Sequence, residues 1–198
     1  MDILQKIIET KRREISDRKH EVTLAELESS PLFERKVFSM SESLKAKGPA
    51  AIIAEFKRRS PSKGNIFNEA EVVPVVKGYE DAGCAGISVL TDSDYFGGSL
   101  EDLITARNTV NVPLLRKEFI IDEFQIIEAK SAGADLILLI AEVLTIDEVL
   151  QLSRFARSLG LEVLLEMHSE SQISKINEHL NIVGRKLAVA FFVLFRLQ

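Results

Sequence analysis

Ala51-Ile52-Ile53-Ala54-Glu55-Phe56-Lys57-Arg58-Arg59-Ser60-Pro61-Ser62-Lys63-Gly64 runs from an apolar stretch through two charges of opposite sign into a cationic, turn-rich loop. Residues 51–54 read as a buried strand, and strand alternation places Glu55 and Lys57 on one face at its carboxyl end. A glutamate and a lysine side by side there are costly to bury unless they are paired or used. For one strand alone, a surface ion pair is explanation enough. The loop beyond carries Arg58, Arg59 and Lys63, residue types suited to an anionic ligand such as a phosphate or carboxylate.

Outward from this stretch the same unit repeats. A helix is expected over residues 69–82, with Val72, Val73, Val76 and Tyr79 on one side and Pro74 tolerated in the first turn. Further strands are expected at 86–91, 112–117, 134–140, 162–166 and 181–184. The helices between them fall at 99–108 with Ser99 as N-cap, 123–132, 146–159 and 170–179. Ala82-Gly83, Ala132-Gly133 and Leu159-Gly160 read as helix stops that turn straight into a strand.

Strands this apolar, each followed by an amphipathic helix, indicate a parallel sheet covered by helices. An open doubly wound sheet and a (β/α)₈ barrel both fit that pattern. The charges favour the barrel. Glu55 and Lys57, Thr91 and Asp92, Lys117 and Glu118, Glu142, and Glu166 with His168 all lie at or just beyond strand ends. Only a barrel brings every such end to one mouth. No G-x-G-x-x-G turn follows the first strand, as a dinucleotide-binding open sheet would require.

At 198 residues, 46% apolar and 28% charged, the composition is that of an ordinary soluble domain. A net charge of -5 argues against a general nucleic-acid binder. Cys84 is the single cysteine, which excludes an internal disulfide, and its Ala-Gly-Cys-Ala-Gly setting reads as a packed small residue. The start, Met1-Asp2-Ile3-Leu4, continues into charges with no secretory apolar core, and the apolar run at 187–195 is shorter than the about 20 residues that span a bilayer. No membrane role is expected, and the reducing cytoplasm is the expected location. Lys11, Arg12, Arg13, Arg18 and Lys19, interleaved with Glu14 and Asp17, read as the solvated face of a helix whose apolar face is Ile3, Leu4, Ile7, Ile8 and Ile15.

Eight strand–helix units usually need about 250 residues, and this chain reaches six strands. The expected fold class is therefore α/β, an incomplete barrel of about six strands with an N-terminal helical extension. The expected divisions are a helical extension at 1–46, a partial barrel at 47–184 and an aberrant hydrophobic tail at 185–198. Such a barrel leaves its first and sixth strands as unpaired edges, through which self-association is expected. The tail could cover part of the gap as a strand or a helix.

Five pieces carry a resemblance. They are residues 53–62 (E-x-K-x-x-S-P-S), 88–92 with 95–99, 113–120 (R-K-x-F), 133–135 with 138–140, and 162–166. Together and in this order the chain resembles the indole-3-glycerol-phosphate synthase family, over residues 1 to about 184. The resemblance implies a single TIM barrel whose N-terminal extension lies over the catalytic mouth. It implies a carbon-carbon lyase (carboxy-lyase) of tryptophan biosynthesis acting on 1-(2-carboxyphenylamino)-1-deoxyribulose 5-phosphate, with loss of carbon dioxide and water. It implies no cofactor and no metal.

Carried over motif by motif, Lys117 looks like the general acid that protonates the carbonyl during ring closure, and Glu166 like the general base of the dehydration. Lys57 resembles the lysine that binds the substrate carboxylate and assists proton transfer, oriented by Glu55. Phe96, Phe119 and Leu138 match the apolar wall around the aromatic ring, with core packing the alternative for both phenylalanines. Ser60 and Pro61 match the first loop, near the phosphate. Lysines among other cations at a dry mouth would lose proton affinity. No role is implied for His168, which reads as a solvated loop histidine.

After strand six the family continues with an I-N-x-R-x-L piece and two further units, whose Glu-Ser-Gly and glycine-rich turns hold the phosphate through backbone N–H groups. Here Gly184 leads directly into Arg185-Lys186-Leu187, so the chain reads as a C-terminally truncated or frameshifted member. Each missing charge-assisted bond is worth about 1.5–3 kcal/mol, so weak substrate binding and little turnover are expected. Two other functions fit the residues. One is a Schiff-base aldolase using Lys57 or Lys117, and the other is a non-catalytic module that binds a phosphorylated ligand or a partner.

Overall fold

The computed structural model describes residues 3–186 and 192–196, with side chains described as far as residue 184. Three helices come first: α1 (Ile3–Glu21), α2 (Leu24–Glu28) and α3 (Met40–Lys47). The alternating unit begins with β1 (Ile53–Phe56) and a short antiparallel hairpin of β2 (Arg59–Ser60) and β3 (Gly64–Asn65). Then follow α4 (Val72–Asp81), β4 (Gly86–Leu90), α5 (Leu100–Thr109), β5 (Leu114–Lys117), α6 (Glu123–Ser131), β6 (Leu136–Ile140), α7 (Ile146–Ser158), β7 (Glu162–Met167) and β8 (Ile182–Lys186). The large strands lie side by side in the order β1-β4-β5-β6-β7-β8, all parallel. The fold is an incomplete TIM barrel, six parallel strands with helices packed outside them.

Alternation along the strands makes two cores. Ile87, Val89, Leu114, Ile137, Leu139, Val163 and Leu165 face outward and pack with Val76, Leu103, Ala106, Ile126, Val149 and Ala156 of the helices. Leu115, Leu136, Leu138, Leu164 and Ile182 face the interior and close around Met40. Gly86 makes room for that methionine, because a Cβ there would overlap both the Met40 side chain and the Pro113 carbonyl.

Beneath the amino ends of the strands lies a buried ionic clamp. Asp135 accepts from Arg35 (2.6 Å), Arg107 (2.8 Å) and the backbone N–H groups of Phe38 (2.6 Å) and Leu114 (2.8 Å). Glu162 accepts from both Ser39 and Ser41 at the start of α3. The N-terminal helices thus do not lie only over the mouth: α1 meets the carboxyl-end loops, while residues 35–41 fasten to the opposite end.

Several local expectations are corrected. Residues 170–179 form only a 3₁₀ turn, Glu170–Lys175. Gln172 Oε1 accepts from the His168 and Ser169 N–H groups, Asn177 Oδ1 from His179 N–H and Ser153, and Ile176 is extended. Polar side chains here bond to the backbone in place of a helical ladder. Val73 is 50% exposed, since Val72 and Val76, four apart, take the buried line of α4. β8 is not an edge: β9 (Phe192–Arg196) pairs with it antiparallel, leaving β1 and β9 at the two ends of the sheet. Residues 187–191 and 197–198 of the expected tail lie outside the described residues.

The basic face of α1 is the largest correction. Lys11 is only 3% exposed, lying between Ile7 and Ile15 on the buried stripe, while Arg12, Arg13 and Lys19 stay outside. Lys19 pairs with Asp122, and Arg18 with Glu128.

Cys84, between α4 and β4, is buried as expected, and loss of hydration pushes its thiol up from the usual cysteine range. Few thiolates are then present at neutral pH, so a disulfide reagent is expected to label the native protein slowly and the urea-unfolded protein fast. Equal rates in the two states would contradict this burial. Among the described residues, no helix is long and apolar enough to cross a membrane.

Candidate active site

The carboxyl ends of β1, β5 and β7 deliver the charged groups. Glu55 and Lys57, both half-buried, form an ion pair of 2.5 Å at the end of β1. Lys117 closes β5, and its Nζ lies 3.2 Å from Oε2 of Glu166 on β7, a carboxylate only 3% exposed. β6 stands between those two strands, so the contact spans the interior above Leu138 and its neighbours. Opposite charges therefore face each other across the mouth. Each lysine has a carboxylate within ion-pair distance.

Two loops supply the aromatic wall. The ring centroids of Phe96 and Phe119 are 6.1 Å apart with planes tilted by 39°, a favourable aromatic geometry. Phe119 also packs against the interior cluster that holds Leu138. Each loop is shaped by an acid near its strand end: Asp92 Oδ1 accepts from Tyr95 and Phe96 N–H, and Glu118 Oε1 from Phe119 N–H. Gly98 closes the first of these turns with its N–H on the Asp92 carbonyl, and a Cβ there would overlap the Leu90 carbonyl.

Ser60 and Pro61 sit at the tip of the β2–β3 hairpin, where the Lys63 N–H donates to Ser60 Oγ at 3.2 Å. The Arg59 N–H donates to the Phe96 carbonyl, tying the hairpin to the aromatic loop. The cations that sequence reading offered to an anion are largely engaged. Arg58 forms a bidentate pair with Asp102, at 2.6 and 2.9 Å, and Arg59 donates to the Ser93 and Asp94 carbonyls. Lys63 is exposed and lines, with Glu55, Lys57, Ile66, Phe67 and Tyr79, an open cleft beside β1. That cleft contains the Glu55–Lys57 pair but not Lys117 or Glu166.

Residues missed by sequence reading complete the site. His168 is exposed in the loop after β7, as expected, and from there its Nε2 lies 3.1 Å from Glu166 Oε1. Two residues beyond Glu166 on the same run, it shares that face by strand alternation, a signal available in the sequence. Lys11 reaches Asp92 and Glu118 from α1. Among the described residues, no group of three His, Cys, Asp or Glu side chains is placed to hold a metal ion.

Parallel strands with helices outside them, and with paired lysine and glutamate side chains beside an aromatic wall at their carboxyl ends, define an incomplete (β/α) barrel. The family model described as indole-3-glycerol phosphate synthase matches residues 4–184. Proteins called indole-3-glycerol phosphate synthase are similar over most of the chain. The one from Bacteroides thetaiotaomicron is 45% identical over 183 residues, covering 92% of this chain and 70% of that protein. Those from Aliarcobacter butzleri and Neisseria meningitidis serogroup B are 42% and 41% identical, covering 92% and 88% of this chain and 71% and 68% of theirs. The chain belongs to the indole-3-glycerol phosphate synthase family.

Proposed function

We propose that this protein is a carboxy-lyase of tryptophan biosynthesis that closes the indole ring of 1-(2-carboxyphenylamino)-1-deoxyribulose 5-phosphate, with Lys117 and Glu166 as its acid and base. The Lys117–Glu166 contact of 3.2 Å, made across β6 beside Phe119, is the observation that supports it most. An ammonium at that place donates a proton to the substrate carbonyl oxygen as the ring carbon attacks the carbonyl carbon. The carboxylate carbon then leaves as carbon dioxide, and its bonding electrons restore the aromatic ring. In the dehydration Glu166 takes a proton from the new ring while the hydroxyl departs as water after protonation. Lys57, held by Glu55, binds the substrate carboxylate until it leaves, and Phe96, Phe119 and Leu138 bound the aromatic ring. Residues 1–46 act in this reading as the extension that braces the barrel, and residues 47–184 as the catalytic partial barrel.

In this reading Ser60 and Pro61 lie near the phosphate, while Arg58 and Arg59 already hold protein acceptors. Weak phosphate binding by a chain of these 198 residues is therefore expected. An assay following indole fluorescence and carbon dioxide release tests the proposal. One carbon dioxide per indole formed is expected. Absence of indole at saturating substrate would overturn it.

The aldolase reading is weaker, because Lys57 and Lys117 are each paired with a carboxylate, whereas a carbonyl nucleophile needs a neutral amine. Borohydride trapping of a substrate adduct would favour it, and calorimetric binding without turnover would favour a non-catalytic module. We propose further that β1, at one end of the sheet, pairs with a second copy through its outer edge, which has no partner strand among the described residues. Sedimentation is expected to show mass rising with concentration, and a monomer throughout would contradict this.

A further inference from the structure

We propose that Lys11 is a positioning residue for ring closure, a joint by which helix α1 holds the loops carrying Phe96 and Phe119, and with them the Lys117 end of β5, in working register. The proposal deepens the acid–base reading above and rests on it.

The Lys11 Nζ lies 2.6 Å from Glu14 Oε2, 2.8 Å from Asp92 Oδ2 and 3.2 Å from Glu118 Oε1. Asp92 and Glu118 are 1% and 5% exposed. Each uses its other bonds to shape a loop of the aromatic wall. Asp92 Oδ1 receives the Tyr95 and Phe96 N–H groups, and Glu118 Oε1 receives that of Phe119. Glu118 Oε2 accepts from the Thr91 hydroxyl, which in turn accepts from Arg116. Two buried carboxylates from neighbouring loops thus converge on one ammonium brought in by a separate element. A second thread runs parallel to it, the Thr10–Tyr95 hydroxyl contact of 3.0 Å.

Docking α1 does not by itself need a lysine here. The stripe Ile7–Lys11–Ile15 would bury more cheaply with an apolar residue at its centre, since a buried ammonium loses its hydration. What the lysine adds is neutralisation of the two acids. Without it they repel across the gap between the loops, and the backbone N–H groups they fix lose their reference. Glu118 follows Lys117 directly, so any shift is passed to the acid group. Misplacement by about 1 Å can lower a rate by about 10²-fold.

The test uses Lys11→Met and a triple variant, Lys11→Met with Asp92→Asn and Glu118→Gln, which removes both facing acids with the ammonium and so folds even if unpaired acids unfold the single variant. The readouts are kcat, KM and amide hydrogen exchange. In the triple variant kcat is expected to fall about 10- to 100-fold with KM changed less than about threefold. Exchange at residues 92–98 and 117–120 is expected to quicken at least about tenfold while α7 stays protected. Unchanged exchange in those loops, or an unchanged kcat in the folded variant, overturns the proposal. A parent protein that forms no indole removes the acid–base reading instead, and the exchange comparison still decides whether the joint exists.

Discussion

Lys117→Met is expected to lower ring closure by about 10²- to 10⁴-fold, the range supplied by a positioned proton donor, with KM nearly unchanged. Methionine keeps the unbranched side chain, so the half-buried end of β5 retains its packing. What it removes is the ammonium, the ionisable group of this side chain, whose Nζ lies 3.2 Å from Glu166 Oε2. Glu166 keeps His168 at 3.1 Å, so its carboxylate is not left without a polar contact. Steady-state kinetics on the folded variant is the measurement. A rate within threefold of the parent would place the acid elsewhere. Lys57→Met differs in kind: its proposed role is chiefly to hold the substrate carboxylate, so KM should rise more than kcat falls.

Asp135→Ala is expected to destabilise the fold by about 3–5 kcal/mol, the cost of breaking a buried ion pair by removing one partner. Asp135 is fully buried and gathers Arg35, Arg107 and two backbone N–H groups from separate elements. Its loss strands Arg107, itself 7% exposed, with only the Val110 and Val112 carbonyls. It also releases Phe38, which lies against both guanidinium groups, at 5.7 Å from Arg35 and 4.8 Å from Arg107. The segment before α3 would then detach from the amino ends of the strands and uncover Met40. Urea unfolding gives the measurement. A loss below about 1 kcal/mol would mean that this cluster is not what fastens the segment.

Strand positions were legible because the apolar runs are long and the stops are strong: Gly83, Gly133 and Gly160 all have positive φ, the backbone a helix end asks of glycine. Convergence of Glu55, Lys57, Lys117 and Glu166 on one rim followed from their places at strand ends, and the Lys117–Glu166 contact realises part of it. Period failed where polar side chains compete with the backbone, as in residues 170–179. The burial of Lys11 was written in its spacing from Ile7 and Ile15, but charge outweighed spacing in the reading. Arg58 and Arg59 looked available because their acceptors, Asp102, Ser93 and Asp94, come from the following unit. The Asp135 clamp joins residues about a hundred positions apart, a separation that no local pattern reports. Pairing of β9 with β8 realises the strand form open to the tail, but its register was out of reach, since residues 185–198 carry no turn signal.

The most direct test of an acid and a base working as one unit is a double-mutant cycle for ring closure with Lys117→Met, Glu166→Gln and both together. Each single variant is expected to lose at least about 10²-fold in kcat, and the double variant no more than about threefold beyond the worse single. Losses that multiply in the double variant, or a single variant at the parent rate, would contradict the pairing of these two side chains in catalysis.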